Sequence, residues 1–151
     1  MRFWVLLTAC LLAPFIAVAQ TPLPEGATRD CDTCPAMMPM SDGSAMGVYP
    51  VTLAEFRIYA EQSDVAGLGE CFIWNGTTWR RKPDTGWTFP NFEQGEDHPA
   101  VCVSWLEATG YADWLSEQTG QPYRLPTIEE SQATALAGAE TEFWWGSEFE
   151  G

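Results

Sequence analysis

The chain has 151 residues, a one-domain length, with 21 acidic against 7 basic side chains and a formal net charge of −14. An acidic surface repels phosphate backbones, which excludes nucleic acid as a natural partner. Eight tryptophans and eight phenylalanines point to a large aromatic core in preference to a carbohydrate platform.

Residues 1–19 read as a secretory signal. Arg2 is the basic start, Phe3 to Val18 is almost wholly apolar, and Ala17-Val18-Ala19 is a small-residue cleavage pattern, so Gln20 begins the mature chain. The apolar run is too short and wrongly flanked for a membrane span. A rival lipoprotein reading rests on Leu7-Thr8-Ala9-Cys10, but it leaves only Phe3 to Ala9 ahead of the cysteine. Export, to the periplasm or the medium, implies an oxidising compartment. Cys31, Cys34, Cys71 and Cys102 remain after cleavage, and an even number there suggests two disulfides with three pairings open. Cys71–Cys102 with Cys31–Cys34 is the favoured set, ahead of a zinc site.

Residues 20–29 form a flexible leader. Asp30-Cys31-Asp32-Thr33-Cys34-Pro35 reads as a cross-linked turn; a redox couple is the alternative, but no βαβ pattern follows. Met37 to Met40 predicts a strand, Ser41 to Ser44 a turn, and Val48 to Val51 a second strand. Thr52-Leu53-Ala54-Glu55 is a capping box opening a helix that ends near Ser63, with Leu53, Phe56 and Ala60 on one face and Tyr59 beside them. Cys71 to Trp74 and Thr77 to Arg81 predict a hairpin about Asn75-Gly76. Asn75-Gly76-Thr77 is also a glycosylation sequon, with the turn as the preferred meaning. Arg80-Arg81-Lys82 is expected to pair internally. Residues 83–96 form a long loop whose Trp87, Phe89 and Phe92 should pack down onto the domain.

Ala100 to Val103 is a short buried strand by composition. Ser104-Trp105-Leu106-Glu107 is a second capping box, Trp105, Ala108, Ala112 and Leu115 share a helix face, and Gly120 sits at the C-terminal cap. Arg124-Leu125-Pro126 is extended. Thr127-Ile128-Glu129-Glu130 is a third capping box, for a helix running to about Leu136 with Gly138 as its stop. Phe143-Trp144-Trp145-Gly146 closes the chain as an aromatic segment.

No catalytic machine declares itself. His98 before Pro99 reads as a loop hydrogen-bonder, because no serine or cysteine stands near it at a spacing that argues for a nucleophile. Asp97, Glu129 and Glu130 match no calcium-loop pattern and read as solvated acidic surface. The residues alone describe an exported, disulfide-stabilised α+β domain.

His98-Pro99, Val103-Ser104-Trp105, Ala108, Tyr111, Trp114-Leu115, Thr119-Gly120, Tyr123-Arg124-Leu125-Pro126-Thr127 and Trp144-Trp145-Gly146 recur in order across the second half. Asp30-Cys31, Cys34-Pro35, Met37, Gly43-Ser44, Met46-Gly47, Tyr49 to Thr52, Glu55-Phe56 and Cys71 add to them in the first. Together they resemble the formylglycine-generating enzyme (sulfatase-modifying factor) family over most of residues 30–146. The resemblance implies an incomplete C-type-lectin-like α+β fold. It also implies kinship to oxidases that convert a sulfatase cysteine to formylglycine with copper and oxygen, full-length relatives using copper and, as a further candidate, calcium. The partner it implies is a protein or peptide substrate. His98, Pro99, Ser104, Trp105, Arg124, Leu125, Pro126 and Thr127 are carried over as structural motif residues only.

Three departures qualify the resemblance. The family domain runs well beyond the Trp-Trp-Gly segment, and the copper-binding cysteine pair lies in that later part, so no catalytic, cofactor or metal residue is assigned in this chain. Ser131 stands where the family has tryptophan, and Ile128 where it has an acidic residue. Gly47 runs almost directly into Val48, which trims the early strands. Two hypotheses follow: a truncated gene product or fragment of an exported formylglycine-generating-type oxidase, or a non-catalytic binding or maturation module on the same scaffold. In either, exposed aromatic surface would seek association with another chain.

Overall fold

The computed structural model describes residues 22–136, 138–141, 143 and 145–148. Residues 1–19, where a signal sequence is expected, Trp144 and the last three residues lie outside them. Seven elements follow in order: β1 (Met37–Pro39), β2 (Ala45–Gly47), α1 (Leu53–Gln62), β3 (Gly69–Trp74), β4 (Trp79–Thr85), α2 (Trp105–Thr119) and α3 (Ile128–Leu136). β1 pairs with β2 and β3 with β4, both antiparallel. The class is α+β: two small hairpins set around a helix pair.

The first hairpin starts its return strand earlier than composition suggests. Asp42 Oδ1 accepts from the Ser44 N–H at 2.9 Å and from its hydroxyl at 2.6 Å, which fixes a tight turn. The register then runs Pro39 to Ala45 and Met37 to Gly47. One more bond, Val48 N–H to Ala36 O at 2.8 Å, precedes Pro50, which has no N–H to extend a ladder. So Val48 to Val51 is not a strand. The end of the leader is tied down here too, since Thr28 and Met37 exchange backbone bonds of 2.9 and 2.8 Å.

The core lies where α1 meets α2. Leu53, Phe56, Tyr59 and Ala60 of α1 face Tyr111, Ala112 and Leu115 of α2, with Cys34 closing one side. Trp87, from the loop after β4, is 5 % exposed and completes the cluster. Phe56 is its centre: Trp87 and Tyr59 meet it edge-on, each with ring centroids at 5.5 Å. The Trp87 indole N–H donates to Ala66 O at 2.9 Å, so its burial leaves no orphan donor. Phe89 and Phe92 do not follow it inward; both are more than half exposed.

Ala100 to Val103 also departs from its predicted strand. Cys102 has φ 58°, a left-handed conformation that breaks a β ladder. This residue turns the chain out of the His98 loop, joins Cys71 in a disulfide, and delivers Ser104 as the cap of α2. In α2 the buried stripe is Tyr111, Ala112 and Leu115. Trp105, read as part of that face, sits one turn too early to be covered and is 70 % exposed.

Candidate functional site

The motif residues gather around helix N-termini. An α-helix begins with backbone donors that lack helical partners. In α1 two of them find the His98 loop: Leu53 N–H donates to His98 O at 2.8 Å and Ala54 N–H to Glu96 O at 2.9 Å. Ala100 N–H returns a bond to Val51 O at 2.8 Å, and Pro99 forms a bridge with Thr52. The Thr52–Glu55 capping box satisfies the remaining first-turn groups. Arg57 then clamps the loop to the helix, pairing with Glu96 at 2.9 Å while its guanidinium lies 5.7 Å from the Trp87 ring centre. The His98 side chain is exposed, and its Nδ1 accepts the Gly95 N–H at 3.2 Å.

Ser104 caps α2 in the same way, accepting from Glu107 N–H at 3.2 Å while the Glu107 carboxylate accepts from Ser104 N–H at 2.6 Å. Gly120 ends the helix at φ 71°. The segment beyond it is fastened back by Ser116, whose hydroxyl accepts the Tyr123 N–H at 2.8 Å.

The Arg124-to-Thr127 motif forms the third such cluster. Arg124 holds Glu130 with two parallel bonds, 2.7 and 2.6 Å long. Glu130 also accepts the Thr127 N–H at 2.7 Å, completing the capping box of α3. The guanidinium, and then the Thr127 N–H, hold the Glu130 carboxyl down at about 2. Asp42, from the first turn, lies close enough to add to the field on Arg124. Leu125 is half-buried and Pro126 exposed.

Two further features had no sequence signal. Tyr123 donates to Asp30 at 2.5 Å across 93 positions. Tyr111 has a buried hydroxyl with no hydrogen-bond partner among the described residues. Burial raises both phenols above their ordinary range, with the Asp30 carboxylate adding to the effect at Tyr123 and Glu55 at Tyr111.

Cys31 is bonded to Cys34 and Cys71 to Cys102. All four cysteines of the described part are therefore disulfide sulfurs. Arg81 pairs with Glu70 at 2.6 Å and Lys82 donates to Asn91, which accounts for two of the three bases of the basic cluster. Among the described residues no group of three or more His, Cys, Asp or Glu side chains converges on a point that could hold a metal ion.

The arrangement defines a scaffold class: a small α+β domain whose recurrent polar residues cap helices and pin loops, fastened by two cross-links. The chain belongs to the family described as "Sulfatase-modifying factor enzyme 1-like domain", which it matches over residues 18–151. No curated protein matches it significantly. Among solved structures it is similar to PvdO from Pseudomonas aeruginosa, with 27 % identity and a TM-score of 0.59 over 78 % of this chain and 53 % of that one. The chain thus spans about half the length of that relative.

Proposed function

We propose that this chain supplies the scaffold of an exported formylglycine-generating-enzyme-type domain, on a C-type-lectin-like plan, and that its own side chains do not carry out cysteine oxidation. One observation carries the reading: the polar motif side chains are already occupied in holding backbone. Ser104, Thr127 and Glu130 satisfy helix N-termini, Arg124 orients Glu130, and the His98 ring takes a loop N–H. Copper does not fit the residues present, since thiolate is its preferred sulfur ligand and these four sulfurs are in disulfides. Export is part of the same reading, supported by cross-links that persist in oxidising compartments.

The test is direct. The purified chain is given copper, oxygen and a peptide bearing a sulfatase cysteine motif, and the peptide is followed by mass spectrometry. The peptide mass should stay that of the thiol, and a copper titration should find no tight site. Robust conversion to the aldehyde overturns the proposal.

A further inference from the structure

The outer part of the β3–β4 hairpin differs in chemistry from the rest of the molecule. Residues 71–82 read CFIWNGTTWRRK, with no acidic side chain and three consecutive bases, in a chain of net charge −14. The register sets Phe72 opposite Arg81 and Trp74 opposite Trp79. Cross-strand partners share a face, so these four line one side of the hairpin. All three rings face water: Phe72 is 60 % exposed, Trp74 54 % and Trp79 64 %. The two indoles touch, with centroids 5.8 Å apart, and flank a turn that Asn75 closes by accepting the Thr77 and Thr78 N–H groups. Arg81 lies 5.6 Å from the Phe72 ring centre and pairs with Glu70. Arg80 is on the opposite side, exposed, with no ion-pair partner among the described residues.

The tip also extends beyond the hairpin's disulfide anchor. The Cys71–Cys102 disulfide marks where the hairpin is anchored, and Trp74 lies three residues beyond it. At roughly 3.3 Å per residue that is about 10 Å, more than the ~8 Å over which physiological salt screens charge. Arg80, one residue behind Trp79 and without an ion-pair partner among the described residues, is the base that most sets the local potential at the indoles; Arg81 is paired with Glu70, and Lys82 stands level with the Cys71 anchor.

We propose that this tip is a peripheral docking site for an anionic phospholipid surface. Indole rings settle at the boundary between headgroups and hydrocarbon, with an apolar body and one N–H to satisfy. A tip-first approach puts Trp74 and Trp79 at that depth and leaves the three bases one to three residues behind, level with lipid phosphates. The charges are complementary, because the tip is basic and such a surface is acidic. A second copy of the chain is the less favoured occupant, since a two-fold pairing would set two basic tips against each other. The contact is peripheral: no helix among the described residues is long and apolar enough to cross a membrane.

The full chain, mixed with vesicles of phosphatidylcholine alone or with added phosphatidylglycerol, is followed by co-sedimentation and tryptophan emission. We expect binding that requires phosphatidylglycerol, weakens with salt and shifts emission to the blue. Arg80→Gln with Lys82→Gln should reduce partitioning roughly 25-fold, about fivefold per base removed. Trp74→Ala with Trp79→Ala should abolish the blue shift. All these positions are at least partly exposed and far-UV circular dichroism should be unchanged; the apolar leader is common to every variant, so only differences count. Failure to bind, equal binding to both vesicle types, or variants that bind like the parent would each overturn the proposal. Concentration-dependent self-association without vesicles, lost in the tryptophan variant, would assign the tip to a second copy instead and equally overturn it.

Discussion

Tyr111 carries a hydroxyl that donates to nothing among the described residues, although its ring sits in the middle of the core. A buried polar group without a partner costs about 1–3 kcal/mol relative to one that is hydrogen-bonded. Tyr111→Phe keeps the ring contacts to Phe56, Tyr59 and Trp114 and removes that cost. The variant should therefore equal the parent in urea unfolding or exceed it by about 1 kcal/mol; a clear loss would mean the hydroxyl does have a partner. Glu130 is the opposite case, a carboxylate with more donors than it needs. Its pKa falls from 4.5 to about 2, so folding favours the ionised form. The sign follows: this stabilisation is present above 4.5 and is lost as the pH falls toward about 2. The Tm advantage of the parent over Glu130→Gln should accordingly shrink across that window, and a gap that stays constant would mean the Arg124 bonds act only through shape.

Among the elements, α1 and α2 are held close by a residue chosen for its lack of a side chain. A Cβ on Gly110 would stand 2.3 Å from the Tyr59 hydroxyl oxygen and 3.3 Å from Cζ. Alanine improves intrinsic helicity by about 1 kcal/mol, but forcing atoms into a packed interface costs about 1–3 kcal/mol. Tyr59 is buried between Phe56 and Tyr111 and cannot swing aside. Gly110→Ala should thus destabilise by about 1–2 kcal/mol, and adding Tyr59→Phe should recover part of the loss in a double-mutant cycle. The helices themselves were legible in the sequence because their signals are local. Thr52 with Glu55, Ser104 with Glu107 and Thr127 with Glu130 each act across three residues, and all three make the reciprocal bonds expected of them. Strand composition misled at two places. Val48 to Val51 is rich in β-formers, but the Asp42 turn had already set the register. Ala100 to Val103 looks like a buried strand until Cys102 turns left-handed toward its disulfide. The pins of the candidate site were legible only as capping boxes, Thr127 to Glu130 among them; Arg124 to Glu130, Arg57 to Glu96 and Tyr123 to Asp30 link positions 6, 39 and 93 apart and had no such local signal.

For the molecule as a whole, the question is what binds the β3–β4 hairpin to the helix pair. Trp87 inserts just after β4, and the Cys71–Cys102 disulfide ties β3 to the entrance of α2. This cross-link joins positions 31 apart, whereas Cys31–Cys34 spans only 3. In the loop-closure account, the longer link removes more freedom from the unfolded chain: about 3–4 kcal/mol, against about 1.5–2 for the shorter. Cys34 adds a packing contribution, since its side chain is fully buried beside Phe56 and Leu53, and alanine there removes a sulfur from the core. Even with about 1 kcal/mol for that loss, Cys71→Ala with Cys102→Ala should be the more damaging pair. At roughly 2–4 °C per kcal/mol for a chain of this size, its Tm should fall by about 6–16 °C. Scanning calorimetry on the two double variants checks the order. If the Cys31–Cys34 pair proved the more costly, the molecule's stability would rest on the turn that packs Cys34 against α1, and the hairpin would be an appendage held by Trp87 alone.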